Sequence, residues 1–297
     1  MMTKIMQISD ELKDWIVGAL KSNVSPIALA NALIKKGFDN RFAYETLYKI
    51  AGNEAIKTTE GQQIRYNYEV PEIGRKGNIL FTSDKDVRVL SRNEKPFVLH
   101  LDQVLSSEEC DELISLSRSR LQPSLVVDMG SGEEREGSGR TSKSMAFRLK
   151  ENELVERIET RIAELTGYPA ENGEGLQILN YGLGEEYKPH FDFFPPHMAD
   201  ASKGGQRVGT FLIYLNDVAD GGETVFSKAG LSFVPKKGAA IYFHYANEQG
   251  QLDRLSVHSS VPVRKGEKWA ATKWIRESNI YTATRVFKEK SKGSLIR

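Results

Sequence analysis

Few residues in this sequence are equipped for chemistry. The 297 residues include five histidines, His100, His190, His197, His244 and His258, and a single cysteine, Cys110. In Tyr187-Lys-Pro-His-Phe-Asp-Phe193, His190 and Asp192 stand two apart on a stretch that reads as a β-strand, so both side chains leave the same face. Alone, so short a pattern is satisfied by a hydrogen-bonded imidazole and carboxylate with no metal. His258, on a late strand of a rolled sheet, can lie opposite that pair and complete two imidazoles and one carboxylate with open positions. Such a donor set suits Fe(II), whose free positions can take a cosubstrate and O2. Further on, Lys268 begins an otherwise apolar strand. A lysine inside a roll is costly unless it meets an anion, one facing solvent needs no explanation, and strand alternation alone leaves the two readings equal.

To bring those groups together, the second half of the chain must fold into sheet. After residue 175, short period-two runs follow one another: Leu176–Tyr181, Tyr187–Phe193, Arg207–Asn216, Glu223–Ser227, Leu231–Val234, Ala239–Tyr245, Val257–Val263 and Lys268–Glu277. Gly, Pro and Asp turns separate them and no helix intervenes, which predicts an antiparallel double-sheet roll or barrel. Two helices come before these strands, so the fold class is α+β with helices covering one sheet face. The first starts at a capping box, Ser106 to Glu109, with Leu105 and Cys110 as its hydrophobic staple, and runs toward Leu121. Cys110 is thereby a core residue rather than a reactive one. The second carries Leu154, Val155, Ile158, Ile162 and Leu165 on one face and stops at Gly167, before Pro169. Residues 129–139 and 195–205 form loops long for such a roll, which makes them candidate lids.

Residues 1–60 read as a separate three-helix unit. Leu12, Trp15, Ile16, Ala19 and Leu20 fall at helical spacing, Ser25-Pro26 opens a second helix, and Gly37-Phe38 breaks the chain before a third containing Phe42, Leu47 and Ile50. The unit resembles ubiquitin-associated-type modules; a packing appendage, a homodimerisation arm and a docking module for a protein partner all fit it. Residues 61–94 read as linker and leading strands, 95–280 as the main domain and 281–297 as a tail.

Lys plus Arg number 41 against 40 for Asp plus Glu, a formal charge of +1 that supports no nucleic-acid-binding surface. With 27% charged and 39% hydrophobic residues the chain is globular rather than disordered. One cysteine excludes an internal disulfide and fits a reducing compartment. The first residues lack the apolar core of a signal peptide, and no run approaches the ~20 apolar residues of a membrane helix. A cytoplasmic protein with no membrane association is the resulting expectation.

The segments Leu176-Gln-Ile-Leu-Asn-Tyr-Gly-Leu-Gly-Glu-Glu-Tyr-Lys-Pro-His-Phe-Asp-Phe193, Gly204-Gly-Gln-Arg207, Tyr214-Leu-Asn-Asp-Val-Ala-Asp-Gly-Gly-Glu-Thr-Val-Phe226 and Gly266-Glu-Lys-Trp269 together resemble the catalytic domain of the prolyl 4-hydroxylase family. The likeness spans roughly residues 95–278, in the family's order. It implies a double-stranded β-helix, or jelly roll, that uses Fe(II), 2-oxoglutarate and O2, with ascorbate as reductant, to hydroxylate peptidyl proline at C4 and release succinate and CO2. It makes His190, Asp192 and His258 the iron ligands and Lys268 the cation for the distal carboxylate of 2-oxoglutarate. Tyr181 and Thr224 match positions that hydrogen-bond the cosubstrate, Trp274 matches a wall of its pocket, and Arg207 and Arg140 match arginines near the peptide groove.

Two departures stand out. The family's usual His-Ala-Gly or His-Ala-Ala is His258-Ser-Ser260 here, and Arg276 stands where collagen-type members carry a histidine near the substrate. The iron and cosubstrate chemistry is untouched by these changes, while the substrate is left open: a proline-containing peptide or protein, another peptide residue, a free amino acid or a small metabolite. A catalytically silent binding roll is the reading from another class, against which the intact His190, Asp192, His258 and Lys268 argue. His244 and His197 match no ligand and are assigned to core and loop.

Overall fold

The computed structural model of the chain describes residues 9–21, 29, 32–33, 36–38, 46, 50, 66–127, 134–136, 139–195 and 198–281. These fall into two compact units divided between Tyr66 and Asn67. In the first, helix α1 spans Asp10–Lys21, and Ile16 is fully buried with Leu29, Leu33, Phe38 and Ile50. Trp15, expected on the apolar face, is half exposed instead. The expected helix starts at Ser25-Pro26 and around Phe42 and Leu47 lie outside the described residues, as do His197 and the tail beyond Tyr281.

The second unit opens with one helical turn, α2 (Glu72–Arg75), and three strands, β1 (Ile79–Phe81), β2 (Asp86–Glu94) and β3 (Phe97–Asp102). Helix α3 (Ser107–Arg118) follows, then β4 (Gln122–Pro123), β5 (Leu125–Val127), β6 (Glu134–Glu136), β7 (Lys143–Ala146) and helix α4 (Glu153–Thr166). The remaining strands are β8 (Gln177–Tyr181), β9 (Tyr187–His190), β10 (Arg207–Tyr214), β11 (Asp220–Gly221), β12 (Thr224–Phe226) and β13 (Leu231–Phe233). After them come β14 (Ala240–His244), β15 (His258–Ser260), β16 (Val263–Lys265) and β17 (Lys268–Arg276).

Nine strands pair antiparallel in the order β1-β2-β3-β14-β10-β17-β8-β7-β4, and four more in the order β13-β12-β15-β9. The two sheets face each other, which is the expected double-stranded roll. The helices do not all precede the large sheet, because β1 to β3 come first and β3 pairs with β14 in its middle. That sheet is apolar on both faces. Phe211 and Ile213 of β10 pack with Leu113 of α3 and Val155, Ile158 and Ile162 of α4, while Leu212 and Tyr214 turn inward to Phe226 and Phe243. Period two therefore sorts one apolar run into two cores.

The helix signals read from sequence are met at their starts. Ser106 and Glu109 form the reciprocal capping box of α3, with Leu105 and Cys110 buried, although the helix ends at Arg118 rather than running toward Leu121. Gly167 closes α4 in the left-handed conformation at φ 81° that favours glycine. Two strand expectations are corrected. β9 stops at His190, leaving Asp192 in the turn beyond it, and Pro262, which cannot donate to a ladder, splits the expected run Val257–Val263 into β15 and β16. Of residues 129–139, the described part includes β6, paired with β5.

Candidate active site

β9 and β15 pair so that His190 stands directly across from His258. Each imidazole is fixed from behind by a carbonyl two residues earlier in its own chain: His190 Nδ1 lies 2.8 Å from Lys188 O, and His258 Nδ1 lies 3.0 Å from Ser256 O. A carbonyl only accepts, so both Nδ1 atoms carry the proton, and in the neutral ring this tautomer leaves Nε2 its lone pair. Asp192 closes the group, with Oδ1 3.5 Å from His190 Nε2 and Oδ2 3.6 Å from His258 Nε2. The turn beyond β9 thus delivers the carboxylate that a continuous strand was expected to place.

One ligand atom from each of His190, Asp192 and His258 lies within 4.8 Å of the other two. Ligands about 2.1 Å from a shared ion and at right angles stand about 3.0 Å apart, so the trio would draw in by up to about 2 Å to hold one. Two neutral imidazoles and one carboxylate are the facial set suited to Fe(II), and the residues fit that ion. Electrostatics agree. Burial alone would raise the Asp192 carboxyl, but His258, His190 and Arg207 outweigh it and hold the group well below the usual carboxylate range. Burial, reinforced by His190, pushes the His258 imidazole down to about 4, so it is neutral at physiological pH.

These residues form one wall of a cavity, part of it open to solvent, which is also lined by Tyr181, Thr224, Lys268 and Trp274. Here the structure decides between the two readings of Lys268. On β17 the residues Lys268, Ala270, Thr272 and Trp274 line the cavity, while Trp269, Ala271 and Ile275 pack on the helix side and Lys273 meets Glu159 of α4 in a buried ion pair. Lys268 is 1% exposed. Its Nζ donates to Ser260 Oγ at 2.8 Å and sits over the rings of Tyr181 and Tyr214. Burial pushes the ammonium down to about 7, against a weaker opposing pull from Glu223. Thr224 faces the same cavity and accepts a hydrogen bond from the Tyr214 phenol at 2.9 Å.

The three arginines singled out from sequence take different places. Arg140 is buried, bonds the neutral groups Ser142 Oγ and Gln177 Oε1, and lies 5.0 Å from the ring of Tyr187 at the cavity wall. Arg207 forms two 2.6 Å bonds to Glu174, stacks 3.9 Å over Trp274, and donates to the Asp192 carbonyl oxygen at 3.2 Å. Arg276 is buried, bonds Glu174 Oε1 at 2.9 Å and holds the carbonyl of Lys203 in the 195–205 loop. Gln206 fixes the other end of that loop, its side-chain amide bonding both the N–H and the carbonyl of Phe194. His244 is buried and bonded to the Tyr242 phenol, a core residue as expected.

Four residues at the site escaped the sequence reading. Tyr187 stacks on His190 with ring centroids 3.5 Å apart. Thr210 bonds Asp192, Ser260 bonds Lys268, and Glu174 holds two arginines. Tyr187, two residues before a strand-borne Pro-His, and Ser260, a departure from the family's usual residue, had signals that could have found them; Thr210 and Glu174 depend on contacts far apart in sequence.

Residues 176–276 match the 2OG-Fe(II) oxygenase superfamily. The chain is 38% identical over 243 residues to Prolyl 4-hydroxylase 5 of Arabidopsis thaliana, covering 75% of this chain and 81% of that protein. It is 36% identical over 287 residues to Prolyl 4-hydroxylase 1 of the same plant, covering 88% and 96%. Among solved structures it is similar to the viral collagen prolyl hydroxylase vCPH of Paramecium Bursaria Chlorella virus-1 in complex with 2OG, at 28% identity and a TM-score of 0.49 over 60% of this chain and 95% of that one.

Proposed function

The chain belongs to the prolyl 4-hydroxylase family of 2OG-Fe(II) oxygenases, and on that premise we propose that it hydroxylates proline within a peptide at C4, consuming 2-oxoglutarate and O2 and releasing succinate and CO2. The observation that carries the reading is the meeting of His190, Asp192 and His258 on one wall of a cavity whose lining also contains the buried Lys268.

When bound, Fe(II) would be held by His190, Asp192 and His258 and would supply the oxidative decarboxylation of 2-oxoglutarate and the oxidation of the substrate C–H bond. The chain's own residues do the rest. Lys188 O and Ser256 O keep each ligand imidazole in the tautomer that offers Nε2. Lys268 neutralises the far carboxylate of the cosubstrate, a pairing that a low-dielectric pocket makes strong only when the match is close. Tyr181 and Thr224 present hydroxyls to the same cosubstrate. Leu179, Leu212 and Phe243 in the cavity lining exclude water from the reacting centre.

For the substrate, Arg140 and Tyr187 stand at the cavity wall where a peptide would enter. Arg207 and Arg276 are both paired with Glu174, so what they offer a peptide is a fixed wall rather than a free charge. The 195–205 loop, tied down at Phe194 and Lys203, is the proposed cover. Ascorbate as reductant belongs to the same proposal, as does a reducing compartment, for which the single, buried Cys110 speaks. Among the described residues no helix is long and apolar enough to cross a membrane.

The test is mass spectrometry on proline-containing peptides incubated with the chain, Fe(II), 2-oxoglutarate and O2. A gain of one oxygen on proline, absent with free proline and absent for His190→Ala, is the expected result. Turnover of a small metabolite with no peptide product would reject the peptide reading.

A further inference from the structure

The cavity holds an arrangement of hydroxyls beyond those the sequence pointed to. Thr224 on β12 and Ser260 on β15 are direct partners across the strand pair, so their side chains stand next to each other. Each accepts a hydrogen bond from a residue beside it: Ser260 from the Lys268 ammonium at 2.8 Å, Thr224 from the Tyr214 phenol at 2.9 Å. A hydroxyl has one hydrogen to give and two lone pairs to receive with. Accepting from Lys268 and from Tyr214 therefore leaves each oxygen its own hydrogen, and among the described residues neither hydrogen has an acceptor. Both residues line the cavity, and both are more than nine-tenths buried. Two buried donors in search of an acceptor, beside a buried ammonium with hydrogens still to place, make a floor built for a carboxylate, whose two oxygens accept up to about four bonds.

We propose that Ser260 is a direct ligand of the far carboxylate of the cosubstrate, giving its hydroxyl hydrogen to the anion while its lone pair holds Lys268 in place. The floor is then a clamp of three side chains, Lys268, Thr224 and Ser260, in place of a single ion pair. The residue that departs from the family's usual small apolar one is the residue that completes it. Each role of the Ser260 oxygen supports the other, because a lysine pinned by the serine is set at the position where serine and lysine reach the same carboxylate. The inference rests on the reading of Lys268 as the cosubstrate's cation.

The experiment measures equilibrium binding to the full-length, Mn(II)-loaded protein under anaerobic conditions, by calorimetry, for 2-oxoglutarate and for oxalate, which reproduces only the metal-chelating end. Loss of a hydrogen bond to a charged group predicts that Ser260→Ala weakens 2-oxoglutarate binding about tenfold or more. Oxalate and Mn(II) itself should bind within about twofold of the parent protein, because the change touches only the far carboxylate. Ser260→Gly removes the hydroxyl in a second way and should repeat the result. Unchanged 2-oxoglutarate affinity in both variants overturns the proposal. So does an equal loss for 2-oxoglutarate and oxalate, which would mean that the substitution disturbs β15 and its His258 rather than the clamp. Lys268→Ala decides the underlying reading separately: if it leaves 2-oxoglutarate affinity intact, the cation assignment falls and Ser260 falls with it.

Discussion

Thr210 Oγ1 donates a hydrogen bond to Asp192 Oδ2 at 2.7 Å, and the Tyr245 phenol lies 3.0 Å behind it, so a buried relay ends on one oxygen of the candidate metal ligand. An oxygen engaged in this way is a poor second donor to an ion. On the proposed reading of Asp192 as a metal ligand, the relay would leave it one oxygen to give, so that a position stays open for cosubstrate and O2. Partners that orient a ligand typically contribute ten- to hundredfold in metal affinity. Thr210→Val is expected to weaken Mn(II) binding by about that factor, while Thr210→Ser, which keeps the hydroxyl, stays within about threefold. Titration of Mn(II) followed by electron paramagnetic resonance reads this directly, and equal affinities for the valine variant and the parent would remove Thr210 from the account.

Direct ligands should matter more than their supports. Asp192→Ala and His258→Ala each delete one of three donors within 4.8 Å of one another, so succinate release should fall by more than the roughly hundredfold ceiling expected for a supporting partner. The same variants should lose Mn(II) binding while keeping a cooperative thermal transition. Succinate release that persists at the parental rate in His258→Ala would mean that the chemistry happens elsewhere.

The roll and the clustering of His190, Asp192 and His258 were legible in the sequence; the wiring behind them was not, for reasons that differ by residue. Lys268 had no decided face until β17 was seen to put Ala270, Thr272 and Trp274 in the cavity with it. Thr210 is hidden in an apolar run, because a sheet buried on both faces erases the alternation that would have shown its direction. β2 was expected only as a leading strand without bounds, since a largely exposed, polar strand near a sheet edge carries little hydrophobic period. Glu174 meets Arg207 and Arg276, 33 and 102 residues away, and no local spacing signals such a pair. Asp192 came through despite a wrong secondary-structure assignment, since the turn after β9 and a strand both bring it near His190.

The Lys268 ammonium, pushed down to about 7 by burial, makes cosubstrate binding a proton-linked event. Below pH 7 the lysine is already charged and 2-oxoglutarate affinity should be flat. Above it, binding the anion must first bring a proton to the lysine, so affinity should fall about tenfold per pH unit until the pKa of the occupied pocket is reached. At pH 8, calorimetry in buffers of different ionisation enthalpy should reveal uptake of close to one proton per cosubstrate. A dissociation constant that stays level from pH 6 to 9, with no proton uptake, would remove the proton link between Lys268 and cosubstrate binding.

The covering helices carry a second pH dependence, one of stability. Arg161 of α4 is 3% exposed and bonds both Glu109 oxygens on α3, at 2.8 and 3.0 Å, together with Asp84 in the β1–β2 turn. Burial alone would raise the Glu109 carboxyl; the bonds from Arg161 and the Ser106 N–H outweigh it and lower the group from 4.5 to about 2. A carboxyl depressed on folding contributes stability that is complete above its unfolded pKa and lost as pH falls through the folded one, so the window runs from about pH 5 down to pH 2. The shift corresponds to about 3 kcal/mol. Urea unfolding should find Glu109→Gln less stable than the parent by an amount of that order at pH 7, with the gap closing progressively toward pH 2 as the parent's own carboxyl becomes protonated. A gap of the same size at pH 7 and pH 2 would mean that Glu109 holds the two helices by shape rather than by charge.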